Sequence, residues 1–139
     1  MIPVYEPIFN GNEKKYLQEC IDKGQVSSAG KFVKKFEEKF AKWANAQYAI
    51  ATSSGTSALE TALWACGINK GLVILPVSTI ISCVIAILRV GAKPLFKDID
   101  LETLNIKVPF SCRNPILSVN LFGHRVEHTT NALIVEDNS

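Results

Sequence analysis

The stretch LVILPVSTIISCVIAILRVGAKPLFKDID, residues 72–100, decides the architecture. Leu72 to Leu75 is a short, wholly apolar run, the composition of a strand covered on both faces. Pro76 closes it, and Ser78 to Arg89 reads as a helix apolar on all sides, with Gly91 as its terminator. Pro94 to Ile99 then reads as a second strand. The stretch is uncharged from Leu72 to Leu88, which approaches the length of a membrane span, about 20 apolar residues. Pro76 would break a spanning helix, and Ser78, Thr79 and Ser82 place polar groups in its middle, so a buried strand, a proline turn and a buried helix account for it better.

The same rhythm extends outward. Tyr48 to Thr52 reads as a short strand, followed by a helix from Ser57 to Cys66 that stops at Gly67. Ile116 to Asn120 and Ala132 to Glu136 are further strand candidates. Repeated strand–loop–helix units predict an α/β layer with a mainly parallel sheet. Ahead of them, Asn12 to Lys23 has Tyr16, Leu17, Cys20 and Ile21 at helical spacing, with Gly24 as the stop. Lys31 to Asn45 carries a stripe of Phe32, Phe36 and Phe40, flanked by Val33, Trp43 and Ala44. Its Lys31, Lys34, Lys35, Lys39 and Lys42 mix with Glu37 and Glu38 as a solvated face. No repeat or low-complexity linker interrupts the chain.

With 139 residues, 47% hydrophobic and 20% charged, the chain is one globular domain's worth or part of a larger one. A dispersed net charge of +2 argues against nucleic acid or an anionic membrane surface as partner. Cys20, Cys66, Cys83 and Cys112 form no C-x-x-C pair and read as reduced thiols in apolar or helical settings. Met1 to Phe9 lacks the basic and apolar regions of a secretory signal, so the cytoplasm is the expected location.

Three segments offer chemistry. In Thr52-Ser53-Ser54-Gly55-Thr56-Ser57-Ala58-Leu59 a strand runs into a hydroxyl-rich loop that opens directly into a helix. The unpaired N–H groups and positive dipole end of that helix suit a phosphate, and Gly55 allows close approach. The same serines and threonines also serve as ordinary helix caps. In Leu133-Ile134-Val135-Glu136-Asp137 an apolar strand delivers a carboxylate at its carboxyl end, where open α/β sheets bind ligands; a turn or cap aspartate fits the same pattern. His124-Arg125-Val126-Glu127-His128 matches the H-x-x-E-H of inverted zinc proteases, but it follows a strand and Gly123, and Thr129-Thr130-Asn131 ends any helix soon after. No metal site is expected, and two exposed loop histidines are the reading preferred.

Taken in order, these segments resemble the DegT/StrS family of pyridoxal-phosphate (PLP)-dependent nucleotide-sugar aminotransferases, which share the fold of aspartate aminotransferase. Gln25 to Lys31 with Phe36-Glu37 is similar to the family's opening loop and first large-domain helix. Ser53 to Leu59 is similar to its phosphate-binding turn, and Pro76 to Thr79 with Ala86-Ile87 to the next strand–helix junction. Gly91 to Asp100 with Thr103 and Asn105 resembles a highly characteristic family stretch; Leu121 to His124 and Val135 to Asp137 complete the series. The resemblance implies that residues 1–139 are a partial large domain. Gly55, Thr56 and Ser57 would hold the PLP phosphate, Asp137 would pair with the pyridinium nitrogen, and Ile80 would pack aliphatically where relatives often place an aromatic. Ser28 would lie near the substrate. The implied reaction moves an amino group from an amino acid, commonly glutamate, to a keto sugar carried on a nucleotide, in a protein that is typically a homodimer.

The family's Schiff-base lysine comes well after the aspartate. None of the twelve lysines stands in the expected position, and the small domain is also beyond the match. The expectation is therefore a chain that does not transaminate alone, or a non-catalytic module that pairs with a full-length relative. Two connections are shorter than the family's: Asp100 to Ile116, and His124 to Ala132.

Overall fold

The computed structural model describes residues 2–3, 6–107, 112–127 and 130–138, in two compact units, Met1–Ala51 and Thr52–Ser139.

The first unit is a helical pair. Helix α1 spans Glu13–Asp22 and α2 spans Lys31–Trp43. Gly24 turns the chain after α1 with φ of +61°, a conformation that glycine adopts without penalty. The helices are joined by the Tyr16 and Phe32 rings, with centroids 5.2 Å apart, by the Lys35 ammonium 6.0 Å from the Tyr16 ring centroid, and by Glu19, which binds both Lys23 (2.6 Å) and Lys31. Those two ammonium groups hold the Glu19 carboxyl down at about 2. The predicted aromatic stripe is real, with Phe36–Phe40 and Phe40–Trp43 centroids 5.6 and 5.5 Å apart. It is not a core: neither helix has a buried residue.

The strand expected over Tyr48–Thr52 does not form, and those residues are irregular. A strand needs a neighbour to complete its ladder, and the sheet has no member there. Tyr48 and Ile50 stay 76% exposed.

The second unit is the expected α/β layer. Helix α3 (Gly55–Ala65), strand β1 (Leu72–Pro76), helix α4 (Ile81–Arg89) and strand β2 (Lys93–Lys97) follow in order. Strands β3 (Ile116–Val119) and β4 (Ile134–Asp137) complete a sheet of order β2-β1-β3-β4. Every pairing is parallel. Alternation along the strands sends Val73, Leu75, Leu117, Val119 and Val135 to one face, where they bury with Leu59 and Leu63 of α3 and Cys83, Ala86 and Ile87 of α4. Each buried aliphatic side chain there contributes about 1.5–3 kcal/mol. Helix α4 starts three residues later than predicted because Ile80 is extended (φ −79°, ψ 138°). Nor is it buried all round: Ile81 and Leu88 are 67% and 54% exposed, so it buries one face only.

The opposite face has no helix among the described residues. Ile74, Ile116 and Ile134 are covered instead by Ile106, Val126, Cys112 and Ala132 from irregular segments. Asp100 explains how Ile106 gets there. Its Oδ1 accepts from the Glu102 and Thr103 N–H groups, both at 2.9 Å, and its Oδ2 pairs with Lys107 at 2.7 Å. Lys107 and those two amides hold the Asp100 carboxyl well below the usual carboxylate range. The Asp-centred turn lets Ile99 and Ile106 form an antiparallel bridge. Asn105 Nδ2 then donates to the Arg125 carbonyl at 2.8 Å, tying this turn to the segment that carries Val126.

Two predictions arise here. Gly91 has φ of +86°, and a Cβ there would meet the Asn69 carbonyl oxygen at 2.9 Å. Gly91→Ala is expected to destabilise the second unit by about 1–3 kcal/mol, measured by urea denaturation; an unchanged midpoint would contradict the close approach. Because the Glu19 carboxyl is depressed from 4.5 to about 2, its contribution is present above pH 4.5 and fades as pH falls toward 2. Acidification through that window is expected to loosen the α1–α2 pair, with Glu19→Gln flattening the dependence in a circular-dichroism titration.

Candidate functional site

Ser54 is the cap of α3: it is extended (φ −163°, ψ 162°), and its Oγ accepts from the Ser57 N–H at 3.2 Å. The Gly55 and Thr56 N–H groups have no acceptor among the described residues, as expected for a helix's first turn. The Ser57 amide, one of the groups expected to hold phosphate, is thus already engaged by the cap. Its hydroxyl lies 3.1 Å from Ser54 Oγ and 3.3 Å from Ser53 Oγ, and Thr52 Oγ1 donates to the Ser54 carbonyl at 3.0 Å. The loop is therefore a cap and a row of hydroxyls at once. Gly55 is exposed, and a Cβ there would meet nothing within 4 Å. No protein neighbour requires glycine at this position; the bare backbone opens onto free space, the setting that close approach by a phosphate needs.

Topology places that helix end. Helix α3 has 11 residues, a length of about 16 Å, and β1 has 5, also about 16 Å. The short link from α3 enters β1 at its amino end, so α3 begins at the carboxyl edge of the sheet. Helix α4 leaves β1 at that same edge. Asp137 ends β4, beside Val119 of β3, also at the carboxyl edge. By alternation with Val135 its side chain belongs to the face that carries α3 and α4. A direct contact agrees: Cys83 Sγ, in the first turn of α4, donates to Asp137 Oδ2 at 3.1 Å.

The second unit therefore brings Gly55, Thr56, Ser57, Ile80 and Asp137 to one edge of one sheet. Ile80 is the half-buried residue that precedes α4. Ser28 is exposed on the loop between α1 and α2 and belongs to the first unit. His124 follows a 3-10 turn, Leu121–Gly123, in exposed non-helical chain; His128 lies outside the described residues. Among the described residues no three His, Cys, Asp or Glu side chains cluster as metal ligands, and no helix is long and apolar enough to cross a membrane.

Sequence reasoning read Cys83 as a buried small hydrophobe, which its place in the core bears out, but did not foresee its contact with Asp137. It is fully buried, and burial pushes its thiol up to about 11, with the Asp137 carboxylate adding to the rise and the Thr79 hydroxyl opposing it. Thr79 Oγ1 itself is buried without a hydrogen bond of good geometry. A contact across 54 positions has no local signature.

A parallel sheet with its helix starts and a carboxylate gathered at the carboxyl edge is the ligand-binding frame of an open α/β fold. The chain matches the model of the DegT/DnrJ/EryC1/StrS aminotransferase family over residues 7–128 and belongs to that family. It is 47% identical over 130 residues to the GDP-perosamine synthase of Vibrio cholerae, covering 88% of this chain and 35% of that protein. With the GDP-perosamine synthase of Escherichia coli O157:H7 it shares 40% identity over 151 residues, 98% of this chain and 42% of the relative. The chain thus spans about two fifths of the length of these relatives. A solved GDP-4-keto-6-deoxymannose-3-dehydratase with a trapped PLP-glutamate geminal diamine superposes with a TM-score of 0.83 at 27% identity, over 98% of this chain and 40% of that one. The E. coli alignment is longer, at 151 residues, than this 139-residue chain, so the relative carries residues within the matched region that this chain lacks.

The burial pattern predicts an order of thiol reactivity. Cys66 is exposed, Cys20 and Cys112 are partly covered and Cys83 is buried, so iodoacetamide at pH 8 should label Cys66 first and Cys83 only on unfolding. With the folded thiol raised from 9.0 to about 11, its contribution to stability is full below pH 9 and is lost as pH rises through 11. Peptide mapping after timed alkylation checks the order; early labelling of Cys83 would contradict its burial.

Proposed function

We propose that this chain supplies the phosphate end and the ring-nitrogen end of a PLP site in a nucleotide-sugar aminotransferase. The reaction would pass an amino group from an amino acid, commonly glutamate, to a keto sugar carried on a nucleotide. One observation carries the reading: an open helix start over a glycine with free space, and a carboxylate on the same face and edge of one sheet.

In this reading the Gly55 and Thr56 amides bind the phosphate with help from the α3 dipole. The Ser57 hydroxyl adds a donor, while its amide stays with the Ser54 cap. The Asp137 carboxylate holds the ring nitrogen in its protonated form by a charge-assisted hydrogen bond. When bound, the cofactor supplies an electron sink for the carbanion of amino transfer. Ile80 offers an aliphatic surface to the ring, with less contact area than an aromatic would give. Ser28 is assigned to the substrate side. The lysine that holds the cofactor covalently would come from sequence after the matched region, as would the small domain, so residues 1–139 act as part of a large domain.

Titration with PLP, followed by absorbance and equilibrium dialysis, tests this. The expected result is saturable binding that borohydride does not fix to any single lysine. Asp137→Ala should weaken it about tenfold or more, the scale of one lost hydrogen bond to a charged group. Failure to saturate at millimolar PLP, or binding indifferent to Asp137→Ala, would sink the assignment; capture on one lysine would overturn the claim that the lysine lies elsewhere.

A further inference from the structure

We propose that Cys83 is a positioning residue for Asp137: its buried thiol donates to one carboxylate oxygen and so sets the rotation at which that carboxylate meets the ring nitrogen of a bound cofactor. This rests on the PLP reading above, but the contact itself does not.

Asp137 stands at the end of β4, half-buried, and the rotation of its carboxylate is set by the groups that bind its oxygens, Cys83 Sγ at Oδ2 among them. Cys83 is held in place by its own packing. It is fully buried in the core with Ala86, Ile87, Val119 and Val135, and its amide is fixed to the Ile80 carbonyl at 3.0 Å. A donor held by packing on a rigid helix turn, 3.1 Å from Oδ2, therefore orients the carboxylate rather than following it. Burial and the facing carboxylate both keep the thiol protonated, with the pKa up at about 11, so the donor persists throughout the neutral range. The first turn of α4 also turns its positive end toward the same carboxylate. Serine would preserve the donor, and alanine would remove it.

The test uses the whole chain with PLP as probe, together with a ligand-free signal. Cys83→Ser should bind PLP within about threefold of the parent. Cys83→Ala should bind about tenfold more weakly, as for one lost bond to a charged acceptor, with a melting temperature near that of Cys83→Ser. Without ligand, the Raman S–H band isolated by subtracting the Cys83→Ser spectrum should lie at lowered frequency and move up in Asp137→Ala. If Cys83→Ala binds like the parent while binding still depends on Asp137, the positioning role is overturned. If the parent binds no PLP, the cofactor reading fails separately, and the S–H band decides: a shift in Asp137→Ala sustains the thiol–carboxylate bond, and an unmoved band refutes it.

Discussion

Burial of one face of a four-stranded parallel sheet beneath two helices is the constraint from which the second unit follows. Leu63, Leu75, Ile87 and Leu117 are withdrawn completely from water, and they come from α3, β1, α4 and β3. Because each helix must run back along the strand that follows it in the chain, both helices begin at the carboxyl edge. Their unpaired first-turn amides are therefore delivered to the place where Asp137 ends β4. The candidate site is a by-product of how the core is closed, in that no separate element has to be folded to assemble it.

The other face carries no helix among the described residues and is closed differently. Its apolar residues do not stay bare; Ile106 and Val126 are brought over them by a turn built on Asp100 and a hydrogen bond from Asn105. The most characteristic family stretch in this chain thus has a structural role in the described fold. The first unit has no comparable solution of its own. Its Phe36, Phe40 and Trp43 are 54%, 44% and 81% exposed, an apolar stripe that α1 does not cover.

The helix and strand runs were legible because periodicity and punctuation agreed: Gly24, Gly67 and Gly91 all take positive φ at the helix ends where they were expected. Errors arose where local preference lacked tertiary support. Tyr48 to Thr52 has the composition of a strand but no neighbouring strand to complete a ladder, and its Ala51 amide donates to the Glu37 carboxylate instead, at 2.9 Å. Ile80 lies within the run read as a helix from its apolar content, yet its β-branched and hydroxyl neighbours favour helix weakly, and its backbone is extended at the head of α4. The cap serving Ser57 was one of the two roles the sequence offered for those hydroxyls, whereas the thiol facing Asp137 was hidden, being a contact between distant segments.

By itself the sequence determined the class of fold, the order of its elements, the membership of an aminotransferase family and the residues worth watching. These depend on patterns repeated within a few positions, or on collinear likeness along the chain. Tertiary structure alone decided that Asp137 shares a face with the start of α3, that Cys83 fills the space beneath its carboxylate, and that loops rather than helices close the second face. Each of those outcomes depends on which strand lies beside which and on which way its side chains alternate, and strand order is a relation between segments that no single segment encodes.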